Sequence, residues 1–374
     1  MWNFTSPTII YGDDALDFLS ELDGERCLIV TDSKLMELGY AETVADKLNM
    51  DCEVFNKVSP EPGRDVIQEG VRLAEEFKPS FIAGLGGGSC LDAAKLIFVL
   101  YEKPEIDITE ISPFTKLGLR QKSKLICIPT TFSGSEASWA AVITEGDIKS
   151  EIASPELFPD YAVVDPYFVE RIPVELISQT GLDALLNALE SYVSLWRNNF
   201  SEALALYAFE IIFRTLPKAY SGDFEAIKEM QISSTIAGLA FSNSHVGVAH
   251  SLGHALGAEF KIPHGLATGV FLPYSIQFNF EHAKDRYTRL FESSGVNGGL
   301  KEIVEAVRNL MRSIDFPVSI KEMGIESSEF NRRLDSMVEK AEISTCNLAN
   351  PRFPERNDLK ELLMHAFEGR DVDF

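Results

Sequence analysis

FIAGLGGGSCLDAAK, residues 81–95, sets an apolar run, a glycine triplet and an amphipathic stretch end to end. The pattern predicts a buried strand over Phe81–Gly86 and a helix over Cys90–Tyr101, joined by the turn Gly86–Gly87–Gly88–Ser89. Consecutive glycines let backbone N–H groups approach a phosphate closely, and the helix N-terminus adds its partial positive charge. Strand, turn and helix in that order are the setting of a dinucleotide-binding turn. The spacing is neither GxGxxG nor GxxxxGK[ST], which excludes a P-loop, and a plain tight turn reads equally well. Cys90 at the helix start reads as a small packed residue rather than a reactive thiol.

The same rhythm extends to both sides. Arg26–Asp32 (RCLIVTD), Cys52–Phe55 and Lys124–Pro129 (KLICIP) read as strands, and Lys34–Met50 and Arg64–Glu76 as helices. Strand and helix in alternation predict a parallel sheet with helices on its faces. Beyond Tyr161–Asp165 strand-like runs largely stop, and helical periodicity takes over in Gly181–Trp196, Ser201–Arg214, Phe224–Ala240, Ala283–Ser294, Leu300–Ile314, Ser327–Glu342 and Asn357–Phe367. The expected fold class is an α/β N-terminal dinucleotide-binding domain with a parallel sheet, residues 1–170, followed by an all-α C-terminal domain, residues 171–374.

Composition agrees with a two-domain globular chain. The 374 residues carry 34 Lys+Arg against 57 Asp+Glu, a net charge of 34 − 57 = −23, which argues against a nucleic-acid partner. Hydrophobic residues at 45% and 25 Phe exclude a disordered chain. The N-terminus lacks the features of a secretory signal, and the longest apolar runs, such as Leu96–Tyr101, fall far short of the ~20 residues that span a bilayer. Five scattered cysteines without a CxxC fit reduced thiols, so a cytoplasmic location with no membrane association is expected.

Three groups of polar residues stand out against this frame. Pro129–Glu136 (PTTFSGSE) places hydroxyls at the carboxyl end of a predicted strand, where open α/β sheets bind ligands and where hydroxyls also cap turns. Asp32 ends another strand, and a carboxylate there can accept from a ribose 2′-OH or simply be solvated. Four of the six histidines, His245, His250, His254 and His264, lie within twenty residues; on a helix His250 and His254 would share a face, and His264 sits at a Pro–His–Gly turn. Such a cluster reads as a metal or catalytic site, whereas His282 and His365 read as surface or packing residues. Asp183, followed by Asn187 and Glu190, opens an apolar helix. It serves either a cation or, from the first turn, the helix dipole.

Together these pieces resemble the iron-containing (group III) alcohol dehydrogenase superfamily, which also includes glycerol dehydrogenases, maleylacetate reductases and, more distantly, dehydroquinate synthases. The resemblance rests on TDSKL (31–35), SPEPG (59–63), GGGSCLDAAK (86–95), PTTFSGSEAS (129–138), PELFPDYAVVDP (155–166), TGLDALLNALESY (180–192), HSLGHALGAEFKIPHG (250–265) and NPR (350–352). It implies a dehydroquinate synthase-like architecture in which Gly87, Gly88 and Ser89 hold the pyrophosphate of NAD with Asp92 beside them. Thr130, Thr131 and Ser133 would line the nicotinamide side, Lys149 would contact the cofactor, and Asp32 marks NAD rather than NADP. The implied ligands of one divalent metal are Asp183, His250 and His264, with His254 relaying a proton. Iron-type members carry His where this chain has Asn187, whose carbonyl oxygen is a weaker ligand, so the metal is Fe or Zn. PTTFSGSE is one residue shorter than the usual form and similar to that of maleylacetate reductases.

The implied activity is hydride transfer between NAD(H) and a small alcohol or aldehyde by a homo-oligomeric enzyme. Maleylacetate reductase-like and glycerol or polyol dehydrogenase activities are the alternatives. A dehydroquinate synthase-like lyase that uses NAD transiently is disfavoured because Lys261 is the only lysine in the histidine region.

Overall fold

A computed structural model describes residues 4–60, 62–145 and 148–374; the side chains of residue 109 and of residues 144–150, Lys149 among them, lie outside the described residues. The chain divides into two compact units, Met1–Ile172 and Pro173–Phe374.

In the first unit, β1 (Thr8–Tyr11), β2 (Arg26–Val30), β3 (Asp51–Phe55), β4 (Phe81–Gly86), β5 (Lys124–Pro129) and β8 (Tyr161–Val164) form one sheet in the order β1-β8-β5-β4-β2-β3. Every pairing is parallel. Side-chain alternation divides the strands between two cores: Leu28, Val30, Ile82 and Leu125 pack on one face, and Cys27, Ile29, Ala83 and Ile126 on the other. Burial on both faces explains why β4 and β5 read as continuous apolar runs. The central register pairs Gly86 with Pro129, so the two strands end level and the polar segments that follow them start side by side.

The helices of this unit are α1 (Ser33–Glu37), α2 (Tyr40–Lys47), α3 (Arg64–Phe77) and α4 (Gly88–Glu102). The single helix expected over Lys34–Met50 is broken at Gly39, whose φ of +77° is open to glycine and costly for other residues. A further antiparallel hairpin, β6 (Ala140–Glu145) and β7 (Ile148–Ala153), follows the hydroxyl segment and has no counterpart in the sequence reading.

The second unit is helical among the described residues: α5 (Val174–Val193), α6 (Asn199–Tyr220), α7 (Phe224–Ser242), α8 (Val248–Phe260), α9 (His264–Gly269), α10 (Leu272–Ser293), α11 (Leu300–Ser313), α12 (Ser327–Glu342) and α13 (Arg356–Glu368). Two starts differ from expectation. α5 begins directly after Pro173, two turns earlier than its apolar stretch, because proline is well placed beside a first turn that needs no N–H partner. α10 begins at Leu272 and only bends at Ala283, where φ is −142°. No helix among the described residues is long and apolar enough to cross a membrane.

Candidate active site

The early start of α5 overturns the reading of Asp183 as a first-turn residue. It lies mid-helix and is buried, so no free N-terminal N–H groups are available to it. Thr268 donates its hydroxyl to Asp183 Oδ1 at 2.7 Å, and Asn187, one turn on, also hydrogen-bonds the carboxylate. Burial raises the carboxyl above its usual range, and His250, Thr268 and Asn187 offset part of that rise.

α8 and α9 bring two imidazoles to this carboxylate. His250 Nε2 lies 3.8 Å from Asp183 Oδ1 and His264 Nε2 3.6 Å from the same oxygen. The donor atoms of all three residues lie within 4.8 Å of one another. Ligand bonds of about 2.0–2.2 Å at tetrahedral angles set donors roughly 3.4 Å apart, so the spacing fits one first-row divalent ion. Burial of a carboxylate against two imidazole nitrogens is also the arrangement in which a cation offsets desolvation. The His264 side chain is 43% exposed against 5% for His250, so the group opens to the outside on the α9 side.

Glu190, two turns after Asp183 on α5, fixes the orientation of His250 and had no role in the sequence reading. It is 2% exposed; Oε2 accepts from His250 Nδ1 at 2.6 Å and from the Gly247 N–H at 2.7 Å, while Oε1 accepts from the Ala249 N–H at 2.9 Å. An ionised carboxylate can only accept, so the proton sits on Nδ1 and the Nε2 lone pair faces Asp183 and His264. The contact needs Gly247, since a Cβ there would come within 2.7 Å of Asn350 Oδ1 and 3.0 Å of Glu190 Oε1. Asn350, from the NPR segment, accepts from the Val248 N–H at 3.1 Å and so braces the start of α8. A second carboxylate seven positions from Asp183 on an apolar helix was the available signal for Glu190, because that spacing returns to the same face.

His254 shares the α8 face as expected, with its ring centroid 5.3 Å from that of His264 and 5.9 Å from that of His250. His245 does not join the group: it has φ +68° before α8 begins, and its ring meets Trp196 edge-on at 5.3 Å. His282 is exposed, whereas His365 is buried with Nδ1 2.7 Å from the Asp371 carbonyl.

In the first unit the level ends of β4 and β5 bring the glycine turn against the hydroxyl segment. Thr130 N–H donates to Gly86 O at 3.0 Å, and a Cβ on Gly87 would come within 3.2 Å of Thr131 Cγ2 and 3.3 Å of its Oγ1. Thr131 Oγ1 is buried with no hydrogen-bond partner among the described residues, a polar atom beside the turn that a ligand can satisfy. Ser133 faces Gly88, with 3.6 Å between its Cβ and the position a glycine Cβ would take. Gly87, Gly88 and Ser89 are half-buried and lead directly into the 15-residue α4.

The Asp92 carboxylate is engaged within the unit: it accepts from Ser135 Oγ at 2.7 Å and Val142 N–H at 3.0 Å, with Lys95 Nζ 3.9 Å away. Lys95 is fully buried and donates to Ser135 O at 2.7 Å, Ser138 Oγ at 3.0 Å and Ala140 O at 2.8 Å. Through these two side chains α4 clamps the segment carrying Thr130, Thr131 and Ser133. Asp32 caps α1, accepting from the Leu35 N–H at 2.8 Å. Cys90 is packed into the interior, as its size suggested.

A parallel α/β unit with a glycine turn, and a helical unit with an open cluster of one carboxylate and two imidazoles, define a metal-assisted oxidoreductase. Comparison with known proteins narrows that class. The family model "Iron-containing alcohol dehydrogenase" matches residues 6–166, and "Fe-containing alcohol dehydrogenase family, C-terminal" matches residues 177–367. The NADPH-dependent butanol dehydrogenase of Clostridium saccharobutylicum is 35% identical over 389 residues, with 100% of both chains covered. The bifunctional aldehyde-alcohol dehydrogenase of Escherichia coli (strain K12) is 34% identical over 96% of this chain, which spans 45% of that protein. The iron-containing alcohol dehydrogenase structure from Thermococcus thioreducens superposes with a TM-score of 0.91 at 31% identity, covering 99% of this chain and 100% of that one. The chain belongs to the iron-containing alcohol dehydrogenase family, whose members are oxidoreductases acting on CH–OH groups.

Proposed function

We propose that this protein transfers a hydride between NAD(H) and the carbon bearing the oxygen of a small alcohol or aldehyde, with Asp183, His250 and His264 holding one Fe²⁺ or Zn²⁺. The observation that carries this reading is the convergence of those three donor sets within 4.8 Å, with the outer nitrogen of His250 tied to Glu190. A divalent ion there supplies Lewis acidity to the substrate oxygen.

The remaining chemistry belongs to the chain's own side chains. Glu190 keeps the proton on His250 Nδ1, so that Nε2 carries the lone pair a metal ion needs. His254, beside both ligand imidazoles, relays the proton lost by the alcohol or gained by the aldehyde. Asn187 stands where an imidazole would complete a four-ligand iron site. Three protein ligands with an open position therefore suit Zn²⁺ as well as Fe²⁺. In the N-terminal unit, Gly87, Gly88 and Ser89 at the start of α4 offer N–H groups to the pyrophosphate. Thr130, Thr131 and Ser133 offer hydroxyls to the nicotinamide end. Asp92 sets the placement of that hydroxyl segment through Ser135 and Val142. Asp32 accepts from the ribose 2′-OH and repels a 2′-phosphate, favouring NAD over NADP. Five free cysteines accord with a reducing cytoplasm, where the enzyme works as a homo-oligomer.

The test is to strip the protein with a chelator and restore Zn²⁺, Fe²⁺ or Mn²⁺ singly under anaerobic conditions while following NADH formation from butan-1-ol. The stripped protein should be inactive, one ion per chain should restore turnover, and NAD should be preferred to NADP. Full turnover without metal would overturn the metal assignment, and a preference for NADP the assignment of Asp32.

A further inference from the structure

The carboxyl ends of β2 and β4 are neighbours, because Val30 pairs with Gly84. That register places Asp32, two residues beyond β2, beside the first turn of α4. The Asp32 carboxylate there has two partners: Oδ1 accepts from the Leu35 N–H at 2.8 Å, and Oδ2 lies 3.7 Å from Cys90 Sγ in hydrogen-bonding geometry. Cys90 has little freedom to turn away. Gly86, at φ +149°, leaves empty the place of a Cβ, and Cys90 Cβ and Sγ lie 2.6 and 2.7 Å from that place, with Leu35 Cδ1 at 3.2 Å. The thiol thus occupies the space that the missing Gly86 side chain leaves, and it points at one carboxylate oxygen.

We propose that Cys90 is a positioning residue for cofactor specificity: its S–H donates to Asp32 Oδ2 and holds the carboxylate where it accepts a ribose 2′-OH and excludes a 2′-phosphate. The inference rests on the reading of Asp32 as the ribose acceptor. A carboxylate has about four lone-pair sites, so two internal donors fix its direction and still leave capacity for the ribose. Burial and the adjacent carboxylate push the Cys90 thiol well up, so it remains a donor rather than a thiolate that would repel Asp32. The relative named as NADPH-dependent is 35% identical over its whole length, so family membership alone does not set the choice between the two cofactors.

The experiment compares KM for NADH and NADPH in the metal-loaded wild type, Cys90→Ala, Cys90→Ser, Asp32→Gly and the double variant Asp32→Gly/Cys90→Ala. Cys90→Ala should lower the preference for NADH by about three- to tenfold, the range for losing one ordinary hydrogen bond, as suits a weak S–H donor, with kcat nearly unchanged. Cys90→Ser, which retains a donor, should keep the preference, and Cys90→Ala should add nothing once Asp32 is glycine. If Cys90→Ala does not fold, Cys90→Val fills the site without a donor and should behave in the same way. An unchanged preference in Cys90→Ala and Cys90→Val, alongside a collapse in Asp32→Gly, overturns the role of Cys90 alone. Equal losses in Cys90→Ser and Cys90→Ala would show that packing rather than donation matters, and also overturn it. An unchanged preference in Asp32→Gly overturns the reading of Asp32 itself, and the inference with it.

Discussion

Glu190→Gln separates the placement of a metal ligand from the ligand itself. The substitution keeps the shape of the side chain but turns one of two acceptor oxygens into a donor. In the wild type Oε2 serves His250 Nδ1 and the Gly247 N–H, and Oε1 serves the Ala249 N–H. If the amide oxygen takes the Oε2 place, the NH₂ faces the Ala249 N–H and that buried donor loses its partner. If it takes the Oε1 place, the NH₂ faces Gly247 N–H and His250 Nδ1. His250 must then give its lone pair to the amide and carry its proton on Nε2, where the metal should bind. An unsatisfied buried donor costs about 1–3 kcal/mol. In the first orientation that cost falls on folding stability and leaves the His250 tautomer intact. In the second it falls on metal binding, which must restore the Nδ1 proton; at about 1.4 kcal/mol per tenfold the ion should bind roughly 5- to 150-fold more weakly, which brackets the 10–100-fold typical of such partners. The assay is competition against a chromophoric chelator for Zn²⁺, with unfolding in urea followed in parallel. A folded Glu190→Gln protein that matches wild type both in metal affinity, to within about twofold, and in stability to urea would refute the assigned role of Glu190.

His264→Ala should lose both metal and turnover, whereas His254→Ala should keep the metal and lose turnover; equal metal contents in the two variants would sink this division of roles. Glu156 gives a pH signature. Burial pushes its carboxyl up, but the N–H groups of Leu119, Gly118 and Leu117, together with Arg120, outweigh that and hold it below the usual carboxylate range. A depressed folded-state value means stability that is present above the unfolded value of about 4.3 and is lost as pH falls through the folded one. Glu156→Gln should therefore unfold more easily than wild type near neutral pH, and the gap should close below about pH 4. A gap that persists in acid would count against it.

How far the sequence could be read followed the range of the interactions involved. β4 and β5 were legible to the residue because burial on both faces writes an unbroken apolar run. The glycine turn and the hydroxyl segment were each visible, but their contact depends on the register of Gly86 against Pro129, which local patterning does not contain. His250 and His254 lie one helical turn apart and could be grouped, whereas the place of Asp183 required knowing that α5 starts at Val174. Glu175 and the polar run Ser178–Gln179–Thr180 interrupt the apolar spacing of the first two turns of α5 and hid that start. Lys34–Met50 carried helical spacing throughout, yet the positive φ at Gly39 splits it. Glu190 and Asn350 act on backbone N–H groups of a distant helix end, and such groups are the same at every residue. The sequence marks the carboxylate and the amide but not the donors they meet.

Asp183, His250 and His264 all belong to the unit Pro173–Phe374 and are spread over 264 − 183 = 81 positions of chain. Coordination by all three therefore acts as a removable crosslink within that unit, restricting its unfolded chain as a covalent bridge would. Metal loading is then part of the folding equilibrium of the helical unit as well as a condition for its chemistry. Starving the protein of metal should make that unit, before the other, the one that yields to proteolysis.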